Sequence, residues 1–267
     1  MREAIFEERG IWYLKNDFDP SRSTLLLIHG LGSSATGWAQ VIPHLEHSFN
    51  LIVPDIRGHG FSRRWPRYSD YSPQNVADDI NELLNHLSIP HCTAIGYSTG
   101  AFYALILAAR HPAKVERAIF ISPTYFLHTY WRVRVTRIFV ELMALFAPLF
   151  PIVKKGKHVD YKKFSAYADT DIPRFIADLR QTSIRSYLYY LKHTYNFRHD
   201  EWWRRLGKPA MVIVGRHDTL VPFNRARRLV QDLDNAHIEI IEKGNHMLLY
   251  AWPKDVAREI EKFIEKK

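Results

Sequence analysis

Cysteine is almost missing from this chain of 267 residues, which contains a single copy, Cys92. One cysteine cannot close a disulfide within the chain, so small secreted proteins that depend on disulfides are excluded. The first ten residues, MREAIFEERG, carry acidic side chains where a secretory signal needs an apolar core. Together these features predict a cytoplasmic protein.

A long apolar run is missing as well. The longest apolar stretch, between Ile138 and Val153, is interrupted by Glu141, Pro148 and Pro151 and is too short to cross a bilayer comfortably. Internal repeats, heptads and low-complexity tracts are not found either. Because 46% of the residues are apolar, the composition predicts one globular unit rather than a disordered, fibrous or transmembrane chain.

The chain does contain an alternation of short apolar runs with helical periodicity. Near-continuous apolar runs, which suit strands covered on both faces, occur at Leu25–His29, Leu51–Asp55, Thr93–Tyr97, Arg117–Ser122, Ala210–Val214 and His237–Ile241. Apolar stripes at helical spacing comprise Val76, Ile80, Leu83, Leu84 and Leu87, and later Val256, Ile260, Phe263 and Ile264. Ser72 and Pro73 supply an N-cap and first-turn signal for the first of these helices. The order predicts an α/β fold with a mostly parallel central sheet flanked by helices.

This alternation stops near Pro123 and resumes at Pro209. Residues 124–206 contain 15 Lys and Arg against 7 Asp and Glu, a net charge of +8, whereas the whole chain has a net charge of +9. The same segment holds 18 of the 36 aromatic residues and one glycine, Gly156. It is therefore predicted to be mainly helical and folded against another part of the protein.

A Gly-x-Ser-x-Gly motif, Gly96 to Gly100, follows one predicted strand and precedes a helix-like segment. A sharp strand-to-helix turn exposes a serine hydroxyl only where the flanking residues lack bulk, so Ser98 is predicted to be a nucleophile. A serine needs a base that is itself oriented by a carboxylate. Asp218 and His246 each lie just past a later predicted strand, which gives the chain order Ser, Asp, His.

With these motifs the sequence resembles the α/β-hydrolase fold proteins over nearly its whole length. Two further signatures agree with the resemblance: His29-Gly30-Leu31-Gly32 after an early strand, and the run from Asp55 to Ser62 after the next. The resemblance implies Ser98 as the nucleophile, His246 as the general base and acid, and Asp218 as the orienting acid. It also implies an oxyanion hole formed by the backbone N–H groups of Leu31 and Thr99. No metal or organic cofactor is expected.

Other histidines and carboxylates compete for these roles. His29 and His59 lie in turn motifs whose role in the family is structural, and His217 adjoins the predicted acid, whereas His246 follows the last strand. Asp55 also follows a strand, but its motif indicates a residue that anchors a turn. No carboxylate is present at Ile121–Thr124, where some family members carry the acid.

The resemblance also bears on the reaction. Family members that open epoxides or displace halide carry Asp where this chain has Ser98. Carbon–carbon bond hydrolases tend to have Trp where Met247 stands, relatives of the menaquinone-pathway lyase have Arg where Phe102 stands, and perhydrolase-like members commonly have Met where Thr99 stands. These departures favour an ester hydrolase over the other serine-dependent activities.

In this family an insertion after the sixth strand forms a cap, which implies a core of residues 1–123 and 207–267 and a helical cap of residues 124–206. Residues predicted to line an acyl or aryl pocket are Leu142, Leu145, Phe146, Leu149, Phe150, Tyr187, Tyr189, Tyr190 and Tyr195. The cap charge has three interpretations. It is a solvated surface at Lys154, Lys155, Lys157, Lys162 and Lys163, a contact with an anionic membrane, or a site where Arg132, Arg134 or Arg137 meets a substrate carboxylate or phosphate. Nucleic acid is not expected as a partner, because no nucleic-acid motif accompanies the charge.

The sequence thus predicts a carboxylesterase or lipase-like serine hydrolase. Its expected substrates are small esters with short- to medium-chain acyl groups, or compounds that resemble monoacylglycerol. The alternative is a carbon–carbon bond hydrolase or lyase that holds an anionic substrate through cap arginines. A non-enzymatic binding protein on the same scaffold is a third hypothesis, and the intact set of motifs argues against it.

Overall fold

The structure is a computed structural model that describes residues 1–124, 131–153, 156–164, 167–197, 200–231, 233 and 235–266. Its eight described strands are β1 Arg2–Phe6, β2 Ile11–Lys15, β3 Thr24–Ile28, β4 Asn50–Pro54, β5 Cys92–Tyr97, β6 Val115–Ile121, β7 Ala210–Gly215 and β8 Ala236–Ile241. They form one sheet in the order β1-β2-β4-β3-β5-β6-β7-β8. Only the pairs β1–β2 and β2–β4 are antiparallel. The predicted mostly parallel α/β sheet is confirmed.

The described helices are α1 Ile42–Leu45, α2 Pro73–His86, α3 Gly100–Arg110, α4 Trp131–Leu145, α5 Ile172–Thr182, α6 Ile184–Asn196, α7 Asp200–Arg204, α8 Phe223–Gln231, α9 Leu248–Ala251 and α10 Pro253–Glu265. Short 3-10 helices occur at Ala35–Trp38, Tyr68–Tyr71, Ala147–Leu149 and Tyr161–Lys163. Helix α2 begins as predicted, since the Ser72 side chain accepts a hydrogen bond from the Asn75 N–H. Within the described ranges no helix is both long and apolar enough to cross a membrane.

All six strands predicted from the sequence are present, with ends that differ from the predicted ones by at most two residues. β1 and β2 were not predicted. Both lie in the antiparallel part of the sheet, and β1 is largely exposed, so its residues do not form the continuous apolar run by which a buried strand is recognised. Helices α4 to α7 lie between β6 and β7, in the segment predicted to be a cap. The domain boundaries at residues 123/124 and 206/207 stay a prediction.

The order of the strands determines where loops converge. The chain passes from β3 to β4 in one direction and then returns to β5 on the other side of β3. β3 and β5 are paired in parallel, with Ile28 opposite Gly96, so the loops that follow these two strands leave the same edge of the sheet side by side. In open α/β sheets this reversal point is where ligands bind.

A buried ion pair joins the turn after β4 to helix α2. The Arg57 Nε lies 2.6 Å from the Asp79 Oδ2, and both side chains are almost completely buried. Asp78, one position earlier on the same helix, pairs with Arg110 at the protein surface. The two neighbouring carboxylates therefore allow a matched comparison of a buried and an exposed pair.

We expect Asp79→Ala to lower the free energy of unfolding by about 3–5 kcal/mol, because it leaves the buried Arg57 charge without its partner. The control Asp78→Ala removes an exposed pair from the same helix and should cost no more than about 1 kcal/mol. Urea unfolding followed by circular dichroism measures both values. Equal losses in the two variants would contradict the structural importance of the buried pair.

Candidate active site

Ser98 lies in a sharp turn between β5 and α3. Its backbone has φ = +54°, a conformation that residues with side chains adopt rarely and that marks a strained site when it is held by its surroundings. The two flanking glycines are required for steric reasons. A Cβ on Gly96 would lie 2.3 Å from the Gly100 carbonyl oxygen, and one on Gly100 would lie 2.4 Å from the Ile28 carbonyl oxygen. The local sequence thus folds into a turn that presents the serine side chain at the sheet edge.

A chain of hydrogen bonds joins the three predicted residues. The Ser98 Oγ lies 3.2 Å from the His246 Nε2, and the His246 Nδ1 lies 2.8 Å from the Asp218 Oδ2. The Asp218 side chain is fully buried and its other oxygen accepts hydrogen bonds from the backbone N–H groups of Leu220 and Val221. The geometry fits a base between a nucleophile and an orienting carboxylate. His217 is exposed and lies outside this chain of hydrogen bonds.

The backbone of His246 is held on both sides. Its carbonyl oxygen accepts a hydrogen bond of 2.9 Å from the Tyr97 hydroxyl, and its N–H donates one of 2.7 Å to the Asp169 Oδ1. The other Asp169 oxygen accepts from both the N–H and the hydroxyl of Thr219, the neighbour of Asp218. One carboxylate from the inserted segment therefore links the loops that carry the imidazole and the buried acid. Asp169 was not predicted from the sequence, because no motif or spacing marks it.

Two buried histidines hold the loop after β3. The His59 Nε2 accepts a hydrogen bond from the Gly32 N–H at 3.2 Å, and the His29 Nε2 accepts one from the Ile56 N–H at 3.1 Å. Burial lowers the pKa of both imidazoles, which keeps them neutral and able to accept. The loop lies against the serine turn, since a Cβ on Gly30 would be 3.3 Å from the Ser98 Cβ. Leu31, the next residue, lines the same cavity as Ser98 and Thr99.

Asp55 anchors the turn after β4, as its motif predicts. Its two carboxylate oxygens accept hydrogen bonds from the backbone N–H groups of Ala35 and Phe61, at 2.7 and 2.8 Å. The imidazole of His158, from the inserted segment, lies 2.8 Å from the same carboxylate. Asp55 is therefore occupied in joining three parts of the fold and does not take part in the Ser98 chain of hydrogen bonds.

The Ser98 side chain lines a cavity of about 510 Å³ between the sheet edge and the inserted helices. Its apolar wall includes Leu31, Ile172, Phe175, Leu191, Val221 and Met247. Of the residues predicted to line an acyl pocket, Tyr187 and Tyr195 do so, while Tyr189 and Tyr190 are buried in the core. The prediction was wrong for Leu142, Leu145, Phe146 and Leu149, which are exposed, and for Phe150, which packs against the core. Helical periodicity identified an apolar face there but not the neighbour that it meets.

A family model described as "alpha/beta hydrolase fold" matches residues 23–251. The match runs from the start of β3 to the end of α9 and so includes all three residues of the Ser98 chain of hydrogen bonds. The chain belongs to the α/β-hydrolase fold family. It is accordingly a hydrolase, and its sheet order and flanking helices agree with that membership.

Similar proteins cover almost the whole length of this α/β hydrolase. The uncharacterized hydrolase YugF of Bacillus subtilis is 24% identical over 265 residues, which cover 95% of this chain and 94% of the relative. MGS-M2, an α/β hydrolase from a Medee basin deep-sea metagenome, aligns with a TM-score of 0.79 at 17% identity, covering 100% of this chain and 98% of that one. A thermophilic esterase of Thermogutta terrifontis aligns with a TM-score of 0.73 at 19% identity, covering 96% and 94%. At these identities the two solved structures show the fold alone.

The charged groups in the cavity of this α/β hydrolase differ from those predicted. Arg134 and Arg137 line a separate groove, so they do not meet a substrate beside Ser98; the side chain of Arg132 lies outside the described part of the chain. The cavity contains Arg174 instead, which donates hydrogen bonds to the carbonyl oxygens of Ala168 and Asp169. Among the described residues no three His, Cys, Asp or Glu side chains converge as a metal site.

Asp178 is a carboxyl group inside the same cavity. Burial raises the pKa of Asp178 to about 7, against the opposing effects of the Tyr161 hydroxyl, which donates to its Oδ1 at 2.7 Å, and of the Arg174 charge. The nearby Asp171 raises the pKa further. Near neutral pH this wall of the cavity therefore changes between a neutral and an anionic state. Asp178 was not predicted from the sequence, since nothing in the sequence shows that a helical carboxyl faces a cavity.

We expect Asp178 to lower the free energy of unfolding of the protein as the pH rises from about 4 to about 7. An unfolded aspartate loses its proton near 3.8, whereas the folded one keeps it up to about 7, so the native state binds more protons in this interval. The side chain in Asp178→Asn cannot ionise and does not cause this loss. The free energy of unfolding of the variant minus that of the wild type should therefore increase by about 2–4 kcal/mol as the pH rises through this interval.

Urea unfolding at several pH values measures this difference. The control Asp17→Asn changes an exposed carboxylate that pairs with Arg2 at the surface and should show no comparable gain. A difference in the free energy of unfolding between Asp178→Asn and the wild type that stays constant across the interval would contradict the raised pKa of Asp178.

Proposed function

We propose that this α/β hydrolase is a carboxylesterase that cleaves small esters with short- to medium-chain acyl groups, or monoacylglycerol-like esters, through an acyl-enzyme at Ser98. The observation that carries the proposal is the chain of hydrogen bonds from Asp218 through His246 to Ser98, which opens into an apolar cavity. A volume of about 510 Å³ lies in the range of small-molecule sites and suits a compact ester.

In this proposal His246 accepts the Ser98 proton while the Ser98 oxygen attacks the ester carbonyl carbon. The buried Asp218 holds the imidazole in the tautomer with the proton on Nδ1 and stabilises the imidazolium that forms. The carbonyl oxygen becomes an oxyanion, which the backbone N–H groups of Leu31 and Thr99 stabilise. Fixed donors of this kind contribute about 3–4 kcal/mol each to transition-state stabilisation.

The second half of the reaction uses the same groups. The protonated His246 gives its proton to the leaving alcohol, which departs and leaves an acyl ester on Ser98. A water molecule then loses a proton to His246 and attacks the acyl carbon, and the proton returns to Ser98 as the acid is released. The apolar side chains that line the cavity with Ser98 would hold the acyl chain, so the proposal predicts a preference for uncharged acyl groups.

The alternative reaction class has less support. A carbon–carbon bond hydrolase or lyase for an anionic substrate requires cap arginines beside the nucleophile, but Arg134 and Arg137 line another groove. Arg174 does line the cavity, but its guanidinium already donates to backbone carbonyl oxygens. Comparing p-nitrophenyl esters with a carboxylate-bearing dienone separates the two classes, and fast dienone decay with negligible ester turnover would favour the alternative.

We expect a fluorophosphonate probe to label the wild-type protein and not the Ser98→Ala variant. The same change should lower kcat for p-nitrophenyl butyrate by roughly 10⁶-fold, the scale seen when a serine hydrolase loses its nucleophile. Ser48→Ala, which removes an exposed hydroxyl elsewhere, serves as the control and should keep both labelling and turnover. An unlabelled wild type would support a binding protein on the hydrolase scaffold.

Asp169 provides a test of the arrangement around the proposed site. Asp169→Ala removes the common anchor of the His246 and Asp218 loops, and a displacement of reacting groups by about 1 Å can cost about 10²-fold in rate. We expect kcat of Asp169→Ala to fall by about 10- to 100-fold with little change in KM. The kcat of Asp169→Asn, which keeps one acceptor, should lie between those of the wild type and Asp169→Ala. Asp160→Ala, an exposed carboxylate of the same segment, is the control.

Steady-state kinetics with a soluble ester give both constants. A rise in KM at constant kcat would show that Asp169 acts on substrate binding and would contradict a positioning role.

A further inference from the structure

A band of large apolar side chains on the inserted segment is left uncovered. Nine of them are more than a third exposed, with Leu149 at 79% and Leu145 at 66%. These nine residues, called here the outer apolar face, are Val135, Ile138, Phe139, Leu142, Met143, Leu145, Phe146, Leu149 and Ile152. Single exposed apolar residues are common in folded proteins, but a contiguous set of this size marks an interaction surface.

Helix geometry shows that this face is not the one that packs against the protein. The side of α4 and the following 3-10 helix that is buried carries Val140, Ala144 and Ala147. At 3.6 residues per turn, Ile138, Leu142, Leu145 and Leu149 lie on the opposite side. The exposed apolar band covers about half the circumference of the helix, so packing of the inserted segment onto the core does not account for it.

Basic side chains border the outer apolar face. Arg134 and Arg137 line one groove of about 500 Å³ together with Ile138, Leu142 and Leu145. Arg185 donates a hydrogen bond to the carbonyl oxygen of Pro148, next to Leu149. The sequence from residue 131 to residue 159 contains six Lys and Arg and one acidic residue, Glu141.

The acidic residue is itself neutralised. The Glu141 carboxylate lies 2.8 Å from the Lys192 Nζ and also accepts a hydrogen bond from Asn196. The border of the apolar face therefore carries a net positive charge, which attracts an anionic surface and repels a cationic one.

We propose that the outer apolar face docks this protein on the surface of an anionic lipid bilayer. Helix α4 would lie in the plane of the interface, with its apolar side chains among the upper acyl chains and Arg134 and Arg137 at the headgroups. A broad apolar face bordered by Arg and Lys is the arrangement by which helices bind at membrane surfaces, and each basic residue near an anionic leaflet strengthens the attraction.

A second copy of the chain fits this face less well. Two-fold association places the same surface patch of each copy against the other. Both sides of such an interface would carry the same basic border, and two chains of net charge +9 would repel each other. An anionic lipid surface meets the apolar and the basic side chains at the same time.

The docking surface lies one helix away from the cavity. Helix α6 lines the cavity with Tyr187, Leu191 and Tyr195, and on another side it contacts α4 through the pair of Lys192 with Glu141. The proposal goes beyond the proposed esterase activity and does not depend on it. Protein that carries Ser98→Ala is therefore suitable for the binding experiment, because hydrolysis of lipid cannot alter the vesicles.

The experiment is co-sedimentation of Ser98→Ala protein with vesicles of pure phosphatidylcholine and of phosphatidylcholine mixed with phosphatidylglycerol. We expect at least tenfold stronger binding to the anionic vesicles, with most of that gain lost at high salt. Adding Leu142→Ser and Leu145→Ser should lower binding by at least tenfold, and Arg134→Gln with Arg137→Gln should lower it only for the anionic vesicles. Ile5→Ser on the sheet edge, which is also exposed, is the control and should bind as before.

Other outcomes would overturn the proposal. These are no binding to either vesicle, equal binding to both, or unchanged binding after the two leucine substitutions. A dimer in light scattering that the leucine substitutions dissociate would assign the face to a second copy instead. The further substituted side chains, at positions 5, 134, 137, 142 and 145, are all exposed. Thermal unfolding curves that match those of the Ser98→Ala protein therefore confirm that the comparison is between folded proteins.

Discussion

The site of this α/β hydrolase depends on one geometric constraint, which is that parallel strands present their carboxyl ends at the same edge of the sheet. β5, β7 and β8 run in parallel through β6, so the loops after them leave together. Ser98 and His246, separated by 148 positions in the chain, thereby come within 3.2 Å of each other. Loop residues alone could not hold this distance, because a loop without the sheet has no fixed direction.

The turn at Ser98, at the end of β5, has a strained backbone. Ser98 has a positive φ, and the turn fits only because Gly96 and Gly100, two positions before and after it, let β5, α3 and the end of β3 approach closely. Strain of this kind persists where the surrounding structure over-determines the backbone. The buried β5 and α3 supply that rigidity, and the neutral histidines at positions 29 and 59 keep the neighbouring loop in register with the turn.

The inserted segment contributes to both sides of the molecule. Its inner side provides the cavity wall and the Asp169 carboxylate, which ties together the two loops that hold His246 and Asp218. Its outer side carries large apolar side chains and arginines that contact neither the core nor the cavity. The hydrogen bonds of Asp169 therefore connect the insertion to the loops that hold His246 and Asp218. The apolar side chains of the insertion form two separate surfaces, the cavity wall and the outer apolar face.

Much of this could be predicted from the sequence, because the signals are local. Near-continuous apolar runs indicated six of the eight described strands, five of them mostly buried and the edge strand β8 half-buried, and the Ser72 cap located the start of α2. The glycines around Ser98 and the positions of Asp218 and His246 just past strands indicated which three side chains form the chain of hydrogen bonds at the sheet edge. The edge strand β1 gave no such signal, because it is largely exposed and lacks a continuous apolar run. The interior strand β2 was not predicted although it begins with the buried apolar residues Ile11, Trp12 and Tyr13.

The sequence by itself determined six of the eight described strands, the start of α2 and which residue types are available at the ends of the strands, since these depend on near neighbours in the chain. Only the tertiary structure decided which face of α4 is buried, that Arg174 and not Arg134 or Arg137 reaches the cavity, and that Asp169 and Asp178 face the site. The physical reason is that periodicity defines the faces of a helix, whereas the neighbour that each face meets depends on packing between segments that are distant in the sequence.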